Sequence, residues 1–366
     1  MFIDMLVVHS YARHGQNKCC ILTASGNVYY LVNKRFFVKL KIKDKVKYIG
    51  PIGFFEYFIV TENDKYYIIN HTGFGINVTN NILFNLKDIA IDDITCCCTY
   101  GSTIIFRTRN RIIKYEYDKT NEDIFYNSEA SVLIKTTRSD IKLIDYSDYN
   151  IALVTTDSDI IVINNYFPRN SVTFRMRGKI SPINVCCMRD NIRFILDDGQ
   201  VWDINKNSFV KFPDDAHIIK IAKNNGTFIY LDSCSRIYYQ YDGSDINMID
   251  IDVFAQNIFV TNEFLFVIYD CTRILALLII RDDNKLIHDD IRVNLEIDTN
   301  IYSIDNTCDC LYIVDHNGCL HCANIETDNN NRYFIKAETL EKIITFEQDP
   351  IQVENVSMPM KSSRFF

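Results

Sequence analysis

The sequence predicts an all-β fold, a β-propeller of about eight four-stranded blades, with seven blades as the alternative. Three observations predict it. A hairpin signature recurs eight times, at intervals near the roughly 40–50 residues of a propeller blade. Tyr and Phe number 22 and 24 in a chain that is 48% hydrophobic, and with the recurring Ile and Val they suit a pleated, half-buried surface. A short apolar run also precedes most hairpins by about ten residues, the spacing of consecutive strands in an all-β domain.

The hairpins follow in order: "ILTASGNVYYLVN" from Ile21, "FIVTENDKYYIIN" from Phe58, "IIFRTRNRIIKYEY" from Ile104 and "ALVTTDSDIIVIN" from Ala152. "FILDDGQVWDIN" from Phe194, "FIYLDSCSRIYYQY" from Phe228, "LFVIYDCTRILAL" from Leu265 and "LYIVDHNGCLHC" from Leu311 complete the set. The residue expected to enter the turn is Thr23, Thr61, Thr155, Asp197, Asp232, Asp270 or Asp315, with Arg107 as the exception. Thr and Asp accept hydrogen bonds from backbone amides two residues on, which closes a turn. Trp202, the single tryptophan, takes the position held by Tyr29 and Tyr238 and is expected to pack within a blade.

The preceding strands are expected at 4–8, 46–50, 87–91, 141–145, 183–187, 218–222, 256–260 and 300–304, and outer strands at 36–42, 171–176 and 246–251. Residues 331–344 suit either a short helix or an outer strand. Longer insertions at 118–140, 165–180, 281–300 and 324–337 are candidate partner-contact loops, because binding residues favour loops on a rigid scaffold. One propeller domain over 1–349 is expected, followed by a closing strand and tail over 350–366. A single blade cannot bury both its faces, so neighbours must cover them.

Composition narrows the functional classes. The formal net charge of −8 disfavours nucleic acid as a partner. The 13 cysteines include adjacent pairs such as Cys19-Cys20 and Cys186-Cys187, which point to opposite faces of a strand and cannot pair. Free thiols imply a reducing, cytoplasmic or nuclear compartment. The N-terminal stretch lacks the basic region of a signal peptide, and the longest apolar run, 274–280, is too short to span a bilayer, so no membrane association is expected. The Ile, Asn, Asp and Tyr content suggests an AT-rich genome, such as that of a large DNA virus or a protist.

The apolar strand followed by a hairpin like "FILDDGQVWDIN", and again in "VKYIGPIGFFEYFIVTENDKYYIIN", resembles the regulator-of-chromosome-condensation repeat family. The motif is degenerate: Asp203 replaces the glycine after the tryptophan, and the family's Gly-Gln-Leu-Gly stretch is missing. Trp202-Asp203 is also similar to the Trp-Asp dipeptide of WD40 propellers, the second choice. The first resemblance implies guanine-nucleotide exchange or chromatin binding as possible activities, while a fold alone licenses neither.

Candidate sites are few. Cys308, Cys310, Cys319 and Cys322, with His316 and His321, have zinc-like spacing. On a hairpin turning at Asn317-Gly318, Cys310 would lie over ~15 Å from the tip at ~3.3 Å per residue. Buried thiols are therefore the expected reading, and zinc the minor one. Arg107, Arg109 and Arg111 alternate, and would share a face if their strand ran straight. Arg169, Arg175, Arg177 and Lys179 cluster similarly. Both groups are candidates for a local anion or acidic-partner site, set against the plainer reading of a charged edge strand. Paired aspartates such as Asp289-Asp290 read as turns. No phosphate-loop, dinucleotide or metalloprotease motif occurs, and no catalytic residue, cofactor or metal is expected. The leading expectation is a non-catalytic scaffold that presents inter-blade loops to a protein. The alternatives are a structural component of a large, viral particle, or an enzyme with its site at the propeller mouth.

Overall fold

The computed structural model describes residues 4–8, 18–22, 26–33, 36–52, 56–63, 66–72, 75–80, 96–100, 103–107, 111–116, 130–135, 140–147, 150–164, 171–175, 181–188, 191–213, 215–224, 226–241, 244–261, 263–282, 285–306, 309–329 and 332–345. Among them are eight antiparallel sheets of four strands, each built from consecutive strands of the chain. These are blades 1 to 8, spanning 4–39, 46–80, 96–135, 141–175, 182–209, 218–249, 257–296 and 301–345. First strands of neighbouring blades lie against one another, and that of blade 8 returns to that of blade 1, while blades 3 and 4 meet through Ile112 and the second strand of blade 4. The ring therefore closes with eight blades. The closing strand expected at 350–358 lies outside the described residues, and the four strands of blade 8 end at Thr345.

Strand alternation builds the core. In the second strand of blade 4, Ile151 and Leu153 pack toward Ile112 of blade 3. Ala152 and Val154 pack toward Val185, Cys187 and Phe194 of blade 5. The same division recurs in blade 6, where Phe228 and Tyr230 join blade 5, and Ile229 and Leu231 join blade 7. A strand buried on both faces reads as a continuous apolar run, and each large side chain so buried contributes roughly 1.5–3 kcal/mol. Trp202 packs with the junction of blades 4 and 5, its ring edge-on to Phe174 at 5.7 Å.

The central hairpins of blades 4, 5, 6 and 8 share one turn. The N–H groups of Ser158, Gly199, Ser235 and Gly318 donate to the carbonyls of Thr155, Leu196, Asp232 and Asp315. Each donor has a positive φ, of 64°, 78°, 67° and 73°, as in a type I turn closed by a left-handed residue. Asp232 Oδ1 accepts from the amides of Cys234 and Arg236 at 2.9 and 2.7 Å. Asp315 Oδ1 accepts from Asn317 and Cys319 at 2.9 and 2.8 Å, and Thr155 Oγ1 from Asp159 at 3.1 Å.

Two turn expectations need correcting. Leu196 enters its turn, not Asp197, and Asp198 supplies the side-chain acceptor, for Gln200 N–H at 3.0 Å. Adjacent aspartates can serve the same amides, so sequence alone does not phase them. Asp270 lies inside a different turn, with φ of 49° and with Cys271 at 59°.

The crossings between blades settle on these turns. Val46 N–H donates to the Gly26 carbonyl at 3.1 Å, Ile218 to Gly199 at 2.9 Å and Ile301 to Cys271 at 3.0 Å. Just beyond, the first strands of five blades carry a bulge, whose extra residue is Lys47, Lys142, Ile183, Ile219 or Tyr302. A bulge twists the strand and re-aims its side chains.

Further differences concern single elements. The strand paired to Thr103–Arg107 in blade 3 is Cys96–Tyr100; the expected strand at 87–91 lies outside the described residues. Residues 333–345 form an outer strand, not a helix. Most of the 281–300 insertion is also strand, Lys285–Glu296. There Ile291, Val293 and Leu295 alternate with Arg292, Asn294 and Glu296, and Leu295 is buried with Val293 packed beside it.

Candidate functional site

Three of the candidate basic residues, Arg107, Arg111 and Arg175, are among the described residues. Arg107 ends the second strand of blade 3 opposite Ile112, and Arg111 opens the third opposite Lys135. The chain turns between them, so they lie on neighbouring strands and not along one straight strand. Arg175 is exposed on the outer strand of blade 4, opposite Asp159. Arg109, Arg169, Arg177 and Lys179 lie outside the described residues.

Of the candidate zinc ligands, Cys310, Cys319 and Cys322 belong to the core. Cys310 and Cys322 are buried with Tyr312, Val314 and Leu320 against Ile21 and Tyr29 of blade 1. Cys319 is buried at the start of its strand, and Cys308 lies outside the described residues. Among the described residues no group of three His, Cys, Asp or Glu is placed to hold a metal. His321 Nε2 instead meets Asp315 Oδ2 at 3.1 Å, an oxygen that also accepts from Thr299 Oγ1 at 2.5 Å. Burial works to raise the Asp315 pKa, but the hydrogen bonds from Thr299, the Cys319 amide and His321 prevail and lower it. Burial pushes the Cys186 thiol up to about 12 and raises Cys20 and Cys187, which keeps these sulfurs in the unreactive thiol form.

Polar ties link the first strands of blades 4 to 7. Lys142 Nζ donates to the Pro182 carbonyl at 3.5 Å. Asp145 Oδ2 accepts from Cys187 N–H and from Lys223 Nζ, both at 2.7 Å, so blade 6 reaches blade 4 across blade 5. Burial opposes the charge on Lys223, yet Asp145 beside it raises its pKa. Lys220 Nζ donates to Asn257 Oδ1 at 2.6 Å and lies 4.5 Å from the centre of the Phe259 ring. Burial lowers its pKa to about 8. These groups satisfy one another and hold the inner strands in register.

A different feature faces solvent. Ile183 and Ile219, the bulged residues of successive blades, are 45% and 44% exposed, and Phe254 in the crossing from blade 6 to blade 7 is 69% exposed. In an antiparallel meander the crossings lie at the same end as the central hairpin turns, so all three belong to one rim. Ile183 and Ile219 fall within the strands expected at 183–187 and 218–222, and neither is singled out there as a contact residue. A signal was present in Ile218-Ile219, since adjacent residues of one strand cannot both face the same neighbour.

No protein-family model matches the sequence, and no curated protein does. Solved structures are similar to it, BamB carrying the likeness in fold. BamB from Moraxella catarrhalis gives a TM-score of 0.51 at 10% identity, covering 86% of this chain and 96% of that one. Hsv2 from Kluyvelomyces marxianus gives 0.49 at 13% identity, with 82% and 99% covered. Yeast RCC1 (Prp20), solved with Kap60 bound to it, gives 0.45 at 10% identity, with 82% and 75% covered. The chain is a degenerate β-propeller.

Proposed function

We propose that this eight-bladed propeller is a non-catalytic interaction scaffold, presenting its inter-blade crossings and the mouth of its channel to a protein partner. The observation that carries the reading is the exposure of Ile183 and Ile219 on adjacent blades, with Phe254 on the same rim. Large apolar side chains grouped in solvent mark interaction surfaces. Their backbone is held by the strand pairing on either side of each bulge, so little freedom is lost on docking.

Arg107, Arg109, Arg111, Arg169, Arg175, Arg177 and Lys179 are proposed as further contacts to an acidic region of that partner. The net charge of −8 favours a protein over nucleic acid. The free thiols of the described cysteines favour a reducing compartment.

The test is an affinity capture with the full chain from a eukaryotic cell lysate, read by quantitative mass spectrometry beside the double variant Ile183→Asp/Ile219→Asp. The reading expects one stoichiometric protein with the native chain and its loss with the variant, at equal melting temperature. Equal retention by both chains would overturn it.

A further inference from the structure

At the opposite end of the blades, a cleft of about 210 Å³ opens between blades 5 and 6. Its floor holds Arg193, 3% exposed, with Nε 3.3 Å from Asp203 Oδ2. Arg193 Nη1 donates to the Tyr230 hydroxyl, and the Phe228 ring centre lies 4.1 Å from the guanidinium carbon. Lys206 and Lys211 stand at the cleft's exposed edge, and Phe209, Val210 and Ile246 supply apolar wall.

Gln240 completes the lining. It is 7% exposed, and its Nε2 donates to the Ser244 carbonyl at 2.5 Å. Its Oε1 is buried and has no hydrogen-bond partner among the described residues. A buried acceptor without a donor is costly, and this one borders a cleft that a donor can enter. The cleft thus offers cationic donors and one unsatisfied acceptor side by side. A fully ionised inorganic anion such as sulfate or chloride would engage the cations but has no donor for Gln240 Oε1. The matching ligand carries a carboxylate and an N–H on one short framework. At ~30 Å³ per water, the volume holds about seven waters, the size of one acidic side chain with its flanking amide.

We propose that the cleft between blades 5 and 6 binds an acidic peptide segment. Its carboxylate would pair with Lys206, Lys211 and the floor of Arg193, and a backbone N–H would donate to Gln240 Oε1. This deepens the scaffold reading and rests on it, but uses the opposite rim from Ile183 and Ile219, so the two can fail separately.

The experiment presents the full chain to an array of heptapeptides centred on Glu or Asp, each matched with its Gln or Asn counterpart. The strongest binder is then titrated in solution by fluorescence anisotropy. Acidic peptides should bind at least about tenfold more tightly than their amide counterparts, the scale of one charge-assisted hydrogen bond. Lys211→Glu and Gln240→Leu should each weaken binding by about tenfold while the melting temperature is kept, and Ile183→Asp/Ile219→Asp should bind the peptide normally. Millimolar inorganic sulfate should not compete. No acidic binder on the array, equal affinity for the amide peptides, full displacement by sulfate, or unchanged binding by both cleft variants would each overturn the proposal. Loss of the captured protein's dependence on Ile183 and Ile219, with peptide binding intact, would remove the scaffold face alone.

Discussion

Arg193 and Asp203 are 3% and 1% exposed, so each depends on the other to offset its desolvation. Arg193→Met leaves a carboxylate in the core without its partner, and should cost about 3–5 kcal/mol of stability in urea titrations. Adding Asp203→Leu should recover most of that loss, because a well-packed apolar pair can replace a buried ion pair. Asp315 allows a pH test. Its folded pKa is lowered, so its stabilisation is present above the unfolded value of about 3.9 and is lost as pH falls through the lowered folded value. Asp315→Asn should therefore destabilise most at neutral pH, and its stability should fall less steeply than the native chain's below about pH 4. Of these residues, the pairing of Arg193 with Asp203 was legible once the hairpin was phased. The burial of the pair was not, because Phe228 and Tyr230 arrive from the next blade.

Elements were more legible than residues. The second and third strands announce themselves by apolar runs around turn-forming residues, which is why all eight hairpins could be placed. Outer strands were harder. Lys285–Glu296 carries Asp289-Asp290, which reads as a turn in isolation but belongs to a strand paired in part with the buried third strand of blade 7. First-strand bulges left little trace beyond the adjacent Ile218-Ile219, since one extra residue leaves composition unchanged while shifting every later side chain to the other face. Glycine at the turns follows a local rule. Ser158 and Ser235 hold the left-handed position with φ of 64° and 67°, so glycine is not required by backbone geometry alone. At Gly199 a Cβ would come within 2.3 Å of His217 Nδ1. Gly199→Ala should therefore cost more than the roughly 1–2 kcal/mol of the backbone strain, and His217→Ala should restore the excess, as thermal unfolding of the single and double variants can measure.

For the molecule as a whole, every blade is complete in itself. Blade 1 takes its four strands from 4–39, and blade 8 from 301–345. Among the described residues they meet through packed side chains, Ile21 and Tyr29 against Cys310, Tyr312, Leu320 and Cys322. A chain with residue 345 joined to residue 4 by a short linker, and opened between blades 4 and 5, should keep native far-ultraviolet dichroism and a single cooperative transition. Failure of that permutant to fold would mean that the junctions are not interchangeable.

The junction between blades 8 and 1 also gives the ring the mechanics of a split washer. Seven joints are tethered by the chain itself, whereas among the described residues this one is held by packing of blade 8 against blade 1. Strain from heating or pulling would be expected to gather at this joint first. Opening it would wet Tyr29 and Tyr312 while leaving the arc of the other blades standing.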